Sequence, residues 1–249
     1  MVHSFLLIGQ SNMAGRGFID EVEPICNEHL KVLRNGRWYP MYTPVNCDRP
    51  FSGVSLAESF ADAYAKDNDV DVGLIPCADG GTSLDHWQVG GLLYDHAICQ
   101  ARLAQRTSTI AGVLWHQGEA DCGADRYPYY AQKMQVIMDA FRKDLNLYDV
   151  PFLLGALGEY LPLRSPEYYK NYVNVNAALE KLAQENTMTG FVSAKGLKPN
   201  PDNLHFCSAA LREFGLRYYS VFTTLEDRDK VFFEKGDEFA AAKTKMEML

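Results

Sequence analysis

The chain has 249 residues, which is long enough for one large domain or two small ones, with a proper hydrophobic core. Apolar residues make up 47% of it and charged residues 22%, as in ordinary soluble globular proteins. The formal net charge of −8 argues against a nucleic-acid-binding protein, which normally carries a basic face, and gives no support to docking on an anionic membrane.

Five short apolar segments are predicted to form strands. In chain order they are residues 5–9, 70–77, 110–117, 152–157 and 190–193. The segments between them have helical spacing, and strands that alternate with helices indicate parallel strands with helices on both faces of one sheet. The strands are nearly all apolar, as strands buried on both faces should be. We therefore predict an α/β fold with a mainly parallel, five-stranded sheet.

Helix signals separate these strands. Ser55 and Glu58 have the spacing of a capping box, so a helix is predicted to start there. Two later segments place apolar residues on one helical face: Tyr130, Met134, Ile137, Met138, Phe141 and Leu145, and then Leu211, Phe214, Tyr218, Val221 and Phe222. No linker or repeat interrupts the chain. We predict one domain over residues 1–225, followed by a charged tail, helical or frayed, over residues 226–249.

The loops that follow the strands are the expected place for chemistry, because ligands bind at the carboxyl ends of the strands in open parallel sheets. In chain order these loops read GQSNMAGRG, ADGGTSLDHW, HQGEADCGADR, GEYLP and AKGLKPNPDNLHF. Three of the five are rich in Gly, Ser, Asn, Gln, His and acidic residues.

Ser11, in the first of these loops, has several interpretations. The glycine spacing fits neither GxxxxGK[ST] nor GxGxxG, so nucleotide binding is disfavoured. Met13 stands where the second glycine of a GxSxG elbow belongs, so an α/β-hydrolase is not supported. From the loop alone, a helix N-cap is the better interpretation. A nucleophilic serine would need a base, a group that orients the base, and donors for the oxyanion.

His205 is the histidine best placed to be that base. It lies in the last loop, within PDNLHF, three residues after Asp202. In a turn, this spacing lets the Asp202 carboxylate accept the Nδ1 proton and leaves Nε2 free to take a proton from a serine. The alternative is an Asp-Asn turn followed by an unrelated histidine. His116 lies in an apolar strand and is expected to be a packed, hydrogen-bonded residue.

Four motifs in this order, GQSNMAG, GGTS..HW, WHQGEAD and DNLH, resemble those of the SGNH-type hydrolases. The closer resemblance is to the branch that holds carbohydrate esterase family 6 acetylxylan esterases and sialate O-acetylesterases, and it covers most of residues 3–222. It implies a three-layer α/β/α sandwich of flavodoxin-like type, with Ser11 as nucleophile, His205 as base and Asp202 as its orienting acid. It implies no metal or organic cofactor. The Gly-x-Asn block of the wider family is not visible here.

The oxyanion hole has several candidate donors. They are the backbone N–H of Ser11, a backbone N–H at Gly80 or Gly81, and the Gln117 amide; Gln10 is grouped with them as a binding residue. Losing one such donor typically costs ~3 kcal/mol of transition-state stabilisation. An ordinary turn is an equally good interpretation of Gly80 and Gly81.

Glu119, in HQGE, has two interpretations that the sequence leaves open. It accepts N–H bonds that hold loops together, or it orients His205 in place of, or together with, Asp202. We favour Asp202, because the local sequence holds it near His205. A zinc site built on His116 and Glu119 is disfavoured, because no second histidine follows.

Trp87 and Arg16 are candidates for substrate contact. An aromatic face can stack on a sugar ring, and an arginine can bind a carboxylate with two hydrogen bonds. A half-buried core position is the commoner alternative for such a tryptophan.

The sequence predicts a cytoplasmic protein. No apolar run approaches the roughly 18 residues of a membrane span, and the run at residues 5–8 is too short for a signal peptide. The six cysteines include no CxxC pair, which favours reduced thiols over a disulfide framework.

The predicted function is a serine esterase that removes O-acetyl groups from a carbohydrate of the acetylxylan or sialate type. The alternatives are an esterase for another small acyl ester and a non-catalytic carbohydrate-binding relative. The expected partner is a small acetylated sugar or oligosaccharide, with no nucleic acid and no membrane.

Overall fold

The computed structural model describes residues 2–226, which form a seven-stranded sheet and seven α-helices. The strands are β1 (Val2–Gly9), β2 (Leu30–Arg34), β3 (Arg37–Pro40), β4 (Asp71–Pro76), β5 (Ser108–His116), β6 (Phe152–Gly155) and β7 (Thr189–Val192). The helices are α1 (Ser11–Ala14), α2 (Leu56–Asn68), α3 (Leu92–Ala104), α4 (Tyr130–Leu145), α5 (Pro166–Tyr169), α6 (Tyr172–Glu185) and α7 (Ser208–Glu226).

The sheet has the order β3-β2-β4-β1-β5-β6-β7, and only the β2–β3 pair is antiparallel. The predicted α/β fold with a mainly parallel sheet is therefore confirmed, but the number of strands was wrong. The two additional strands form a hairpin at one edge. Its turn residues Asn35 and Gly36 both have positive φ, 49° and 71°, and Asn-Gly is the usual sequence for such a two-residue turn.

The helix predictions are confirmed. Ser55 and Glu58 form the expected capping box at the start of α2. All six residues of the predicted face of α4 are buried, as are Leu211, Phe214, Tyr218 and Phe222 of α7. Helices α2 and α7 pack against each other, whereas α4 packs against α3 and α6. The Phe5 ring of β1 meets Phe60 of α2 and Phe222 of α7 edge-on, at centroid distances of 4.8 and 5.7 Å.

Three of the polar loops, those after β1, β4 and β5, meet at the carboxyl end of β1. Gly9 has φ 127°, and a Cβ there would lie 2.1 Å from the carbonyl oxygen of His116, so only glycine fits. Gln10 N–H donates to that same oxygen, and Asp79 N–H donates to the carbonyl oxygen of Gly9. Strands β2, β3 and β4 all lie on one side of β1, and β5 lies on its other side, so the strand order reverses at β1 and opens a crevice at this edge.

Within residues 2–226, no helix is both long and apolar enough to cross a bilayer. The predicted charged tail of residues 226–249 lies outside the described residues, apart from Glu226. The assignment of residues 1–225 to one domain stays a prediction.

Candidate active site

Ser11, His205 and Asp202 form a hydrogen-bonded chain, although 194 positions separate the first two in sequence. Ser11 Oγ lies 3.0 Å from His205 Nε2, and Asp202 Oδ2 lies 2.6 Å from His205 Nδ1. When Nδ1 carries the proton and donates it to Asp202, Nε2 presents a lone pair to the serine hydroxyl. This arrangement can take the proton from Ser11 as its oxygen attacks a carbonyl carbon.

The turn before His205 fixes the Asp202 carboxylate. Asp202 Oδ1 accepts hydrogen bonds from the backbone N–H groups of Leu204 and His205, at 2.9 and 3.0 Å. Partial burial by itself raises the pKa of the Asp202 carboxyl, but these hydrogen bonds and the one from the imidazole outweigh it, so the pKa lies below its usual value. The carboxyl is therefore ionised at neutral pH and holds the imidazole in one tautomer.

Ser11 is the first residue of α1, and Gln10 occupies the N-cap position. The interpretation of Ser11 as an N-cap was therefore wrong. The first N–H groups of a helix have no partner inside the helix, so the N–H of Ser11 is available to a ligand. Gln10 is buried, and its Oε1 faces the backbone N–H groups of Gly118 and Ala120, each at 3.4 Å. Gln10 thus ties the loop after β1 to the loop after β5 and does not face a substrate.

Asn12 joins helix α1, which carries Ser11, to the loop that carries His205. Its Oδ1 accepts a hydrogen bond from Phe206 N–H at 3.1 Å, and its Nδ2 donates to the Leu204 carbonyl oxygen at 3.3 Å. The same Nδ2 donates to Glu119 Oε1 at 2.6 Å. One buried amide therefore holds the backbone on both sides of His205.

Glu119 is 2% exposed and acts on the site through Asn12. Its second oxygen, Oε2, has no hydrogen-bond partner within residues 2–226. No hydrogen bond joins Glu119 to His205 in the part of the chain that the structure describes, whereas Asp202 Oδ2 lies 2.6 Å from His205 Nδ1. This geometry agrees with the interpretation in which Glu119 holds loops together.

His116 is a core residue, as its strand position indicated. Its side chain is fully buried, and its Nε2 donates to the Ala156 carbonyl oxygen at 3.1 Å. Burial lowers the pKa of His116, so the ring is neutral at physiological pH. Its Nδ1 lies 3.8 Å from Glu119 Oε1. Among the described residues, no cluster of three or more His, Cys, Asp or Glu side chains is placed to hold a metal ion.

Arg16 is not available to a substrate, contrary to the sequence prediction. Its Nη2 lies 2.6 Å from Asp48 Oδ2, and each side chain is 4% exposed. Burial raises the pKa of Asp48, but the hydrogen bonds and charge of Arg16 and the N–H of Gly80 outweigh it and lower the pKa. Asp48 Oδ2 accepts that Gly80 N–H at 2.9 Å, and a Cβ on Gly80 would lie 3.5 Å from Ser11 Cβ. The buried ion pair therefore holds Gly80 beside Ser11.

Gln117 and Trp87 also lie in the core, so the prediction that they contact the substrate or the oxyanion is corrected. Both are fully buried. Gln117 Nε2 donates to the Thr82 carbonyl oxygen at 2.9 Å and to Asp121 Oδ2 at 2.5 Å, which leaves no N–H for an oxyanion. Trp87 Nε1 donates to Thr82 Oγ1 at 3.1 Å, and its ring packs edge-on against Trp115. Both side chains therefore hold the loop after β4 in place through their hydrogen bonds to Thr82.

The two glycines of that loop differ. The N–H of Gly80 is used by Asp48 and is therefore not free for an oxyanion. Gly81 is exposed, has φ 79°, and its N–H makes no hydrogen bond within the described residues. Gly81 is the better candidate for the second donor.

Three supporting residues were missed from the sequence: Asn12, Asp48 and Asn200. Asn12 stands directly after the candidate nucleophile in GQSN, and that adjacency was a usable signal. Asn200 Nδ2 donates to the Arg16 carbonyl oxygen at 2.9 Å. Asp48 and Asn200 lie in irregular loops, where no periodic pattern marks a buried polar residue.

Residues 1–224 match the model of the SASA family, described as carbohydrate esterase, sialic acid-specific acetylesterase. A protein of Arabidopsis thaliana named as a probable carbohydrate esterase is 31% identical over 238 residues, which cover 85% of this chain and 86% of that protein.

Several solved structures are similar to this chain. The X-ray structure of a protein from Arabidopsis thaliana has a TM-score of 0.78 at 29% identity and covers 89% of this chain and 98% of its own. The crystal structure of NanS has a TM-score of 0.72 at 18% identity, with coverages of 91% and 98%. A carbohydrate acetylesterase of Xanthomonas citri has a TM-score of 0.66 at 16% identity, with coverages of 89% and 56%. At these identities, the last two show a similar fold.

Proposed function

The chain belongs to the SASA family of carbohydrate esterases, and we propose that it removes O-acetyl groups from a sugar through an acyl-enzyme intermediate on Ser11. The observation that carries this mechanism is the hydrogen-bonded chain from Ser11 Oγ through His205 to Asp202. A serine esterase needs a nucleophile, a base and an acid that orients the base, and this chain of contacts supports the assignment of those roles to the three side chains.

In the first half of the reaction, Ser11 Oγ attacks the acetyl carbonyl carbon while His205 Nε2 takes the hydroxyl proton. The negative charge that develops on the carbonyl oxygen is bound by the N–H groups of Ser11 and Gly81. When the tetrahedral intermediate collapses, the sugar oxygen leaves and takes the proton from His205. In the second half, a water molecule attacks the acetyl-enzyme by the same route, and acetate is released.

The finer fold assignment belongs to the same proposal. We infer the three-layer α/β/α sandwich of the SGNH-type hydrolases, because α2 packs with α7 while α4 packs with α3 and α6. The substrates we propose to test first are acetylated sugars of the acetylxylan and sialate types. We also propose a cytoplasmic location, which the six free cysteines support, because thiols persist in a reducing compartment.

Hydrolysis of p-nitrophenyl acetate tests the nucleophile, and a screen of acetylated sugars for acetate release tests the substrate class. We expect Ser11→Ala to lose both activities and to lose labelling by a fluorophosphonate probe. Turnover that survives Ser11→Ala unchanged would refute the assignment. Absence of labelling in the wild-type protein would instead indicate a binding protein with no active nucleophile.

A further inference from the structure

A cleft of about 300 Å³ lies beside the candidate active site, at the carboxyl ends of β2 and β4. This volume is at the lower end of the range for small-molecule sites. Its walls come from the end of β2, the loop after β3, the loop after β4 and the first turns of α3. The lining residues that matter here are Arg34, Asn46, Asp48, Asp79, Leu93 and His96.

Gly80 connects the wall of this cleft to Ser11. Asp79, in the cleft wall, directly precedes Gly80, and Asp48, also in the wall, accepts the Gly80 N–H. Gly80 in turn lies against Ser11. A sugar whose acetyl group is held at Ser11 would therefore have this cleft next to it.

The cleft presents polar atoms that the protein does not use itself. Asn46 is 5% exposed; its Nδ2 donates to Asp48 and to the Ala78 carbonyl oxygen, and its Oδ1 has no hydrogen bond within the described residues. Asp79 uses Oδ1 for Arg49 and leaves Oδ2 open. The exposed ring of His96 can both donate and accept.

These groups suit a neutral, hydroxyl-bearing ligand. Hydroxyl groups donate to carboxylate and amide oxygens and accept from imidazole, and Leu93 gives the cleft an apolar wall. The guanidinium of Arg34 is engaged with the carbonyl oxygens of Leu33, Pro44 and Val45, so it is largely committed to the protein. Arg49, a further cation at this edge, is paired with Asp79. An acidic group would find few free donors here.

We propose that this cleft is a second sugar-binding subsite, which holds a neutral sugar unit next to the acetylated unit of an oligosaccharide. The proposal rests on the esterase function proposed above and extends it. The natural substrate is then an acetylated oligosaccharide, and the neighbouring unit contributes to its recognition.

The test compares kcat/KM for an acetylated monosaccharide with kcat/KM for the same acetylated unit carrying one neutral neighbouring sugar. In the wild-type protein we expect the second unit to raise kcat/KM roughly three- to tenfold, the size of one or two neutral hydrogen bonds. Leu93→Trp fills the cleft and should abolish this gain, and His96→Ala should reduce it. Both variants should hydrolyse p-nitrophenyl acetate at the wild-type rate.

Leu92→Trp is the matched control, because Leu92 is 84% exposed and does not line the cleft. It should keep the full gain from the second unit. The proposal is overturned if the wild-type protein shows no gain, or if Leu92→Trp and Leu93→Trp reduce it equally. Failure of the wild-type protein to hydrolyse p-nitrophenyl acetate would overturn the esterase function instead, so the two failures are distinguishable.

Discussion

Asn12→Asp tests most directly how the candidate site is held together. In the native protein, Asn12 is 1% exposed and its Nδ2 donates to Glu119 Oε1 and to the Leu204 carbonyl oxygen. The substitution keeps the shape of the side chain but places a carboxylate oxygen where this donor stands. Three acceptors then face one another in a buried place with no proton between them.

The expected loss of stability can be estimated from these contacts. A hydrogen bond to a charged group contributes about 1.5–3 kcal/mol, and a neutral one about 1 kcal/mol. Repulsion between two buried carboxylates adds to both losses. We expect the free energy of unfolding at pH 8 to fall by roughly 3–5 kcal/mol. Because Asn12 holds the backbone on both sides of His205, kcat should also fall about 100-fold, the effect of a misplacement of about 1 Å.

The loss of stability should depend on pH. At low pH, one carboxyl of the new pair takes up a proton and again supplies a donor. Two facing carboxyls favour a shared proton in the folded variant, so it holds this proton to higher pH than the unfolded chain does and its stability falls as pH rises. Urea unfolding at pH 5 and at pH 8, followed by the fluorescence of the buried tryptophans Trp87 and Trp115, measures this difference.

A second substitution should restore part of the lost stability. Glu119→Gln, combined with Asn12→Asp, provides an amide donor on the opposite side, so the hydrogen bond between positions 12 and 119 re-forms in reverse. The double variant should be more stable at pH 8 than Asn12→Asp alone. Asn176→Asp is the matched control, because Asn176 also bonds a backbone N–H and carbonyl, both of Leu157, and should leave kcat unchanged. A double variant no more stable than Asn12→Asp would refute this account of the site.

Two further predictions follow from the site geometry. Asp202→Asn should lower kcat for p-nitrophenyl acetate about 10⁴-fold, because the imidazole of His205 is then no longer held in the tautomer with the proton on Nδ1. Because the pKa of the Asp202 carboxyl is lowered in the folded protein, its contribution to stability should be present above about pH 4 and disappear as pH falls further. Unfolding curves of the wild-type protein and the variant across this pH range would show the difference. Gly80→Ala should lower kcat more than Gly81→Ala, because a Cβ at Gly80 would lie 2.5 Å from Arg16 Nη2. A Cβ at Gly81 meets open space, so that substitution costs only about 1–2 kcal/mol for the positive φ. Equal kcat values in the two variants would contradict this.

The sequence predicted those features that depend on local spacing. The apolar strands, the capping box at Ser55 and the helical face of α4 are local patterns, and the structure has them. The Asp202–His205 contact is also local, since a single turn brings the two side chains together. The hairpin of β2 and β3 was missed although Asn35-Gly36 is a good turn signal, because its strands are short and lie at an edge.

The roles of individual polar side chains were harder to predict. Arg16, Trp87 and Gln117 lie in loops at the right edge of the sheet, and each has suitable chemistry for substrate contact. Whether such a side chain faces the cleft or the core depends on partners far away in sequence: Asp48 for Arg16, Trp115 for Trp87, and Thr82 for Gln117. A buried polar group must be hydrogen-bonded, so these side chains are used in holding the loops.

The segment after β1 is the common support of the whole site. Gln10 binds the loop after β5, Asn12 binds the loop that carries the histidine, and Arg16 binds Asp48, which holds the glycine loop after β4. Ser11 lies between these residues in the chain, and its hydroxyl is directed to His205. A nucleophile gains from donors and a base that are already in place, because little reorganisation is then needed at the transition state. Substitutions at Asn12 and Arg16 should therefore impair catalysis even though neither side chain touches the acetyl group.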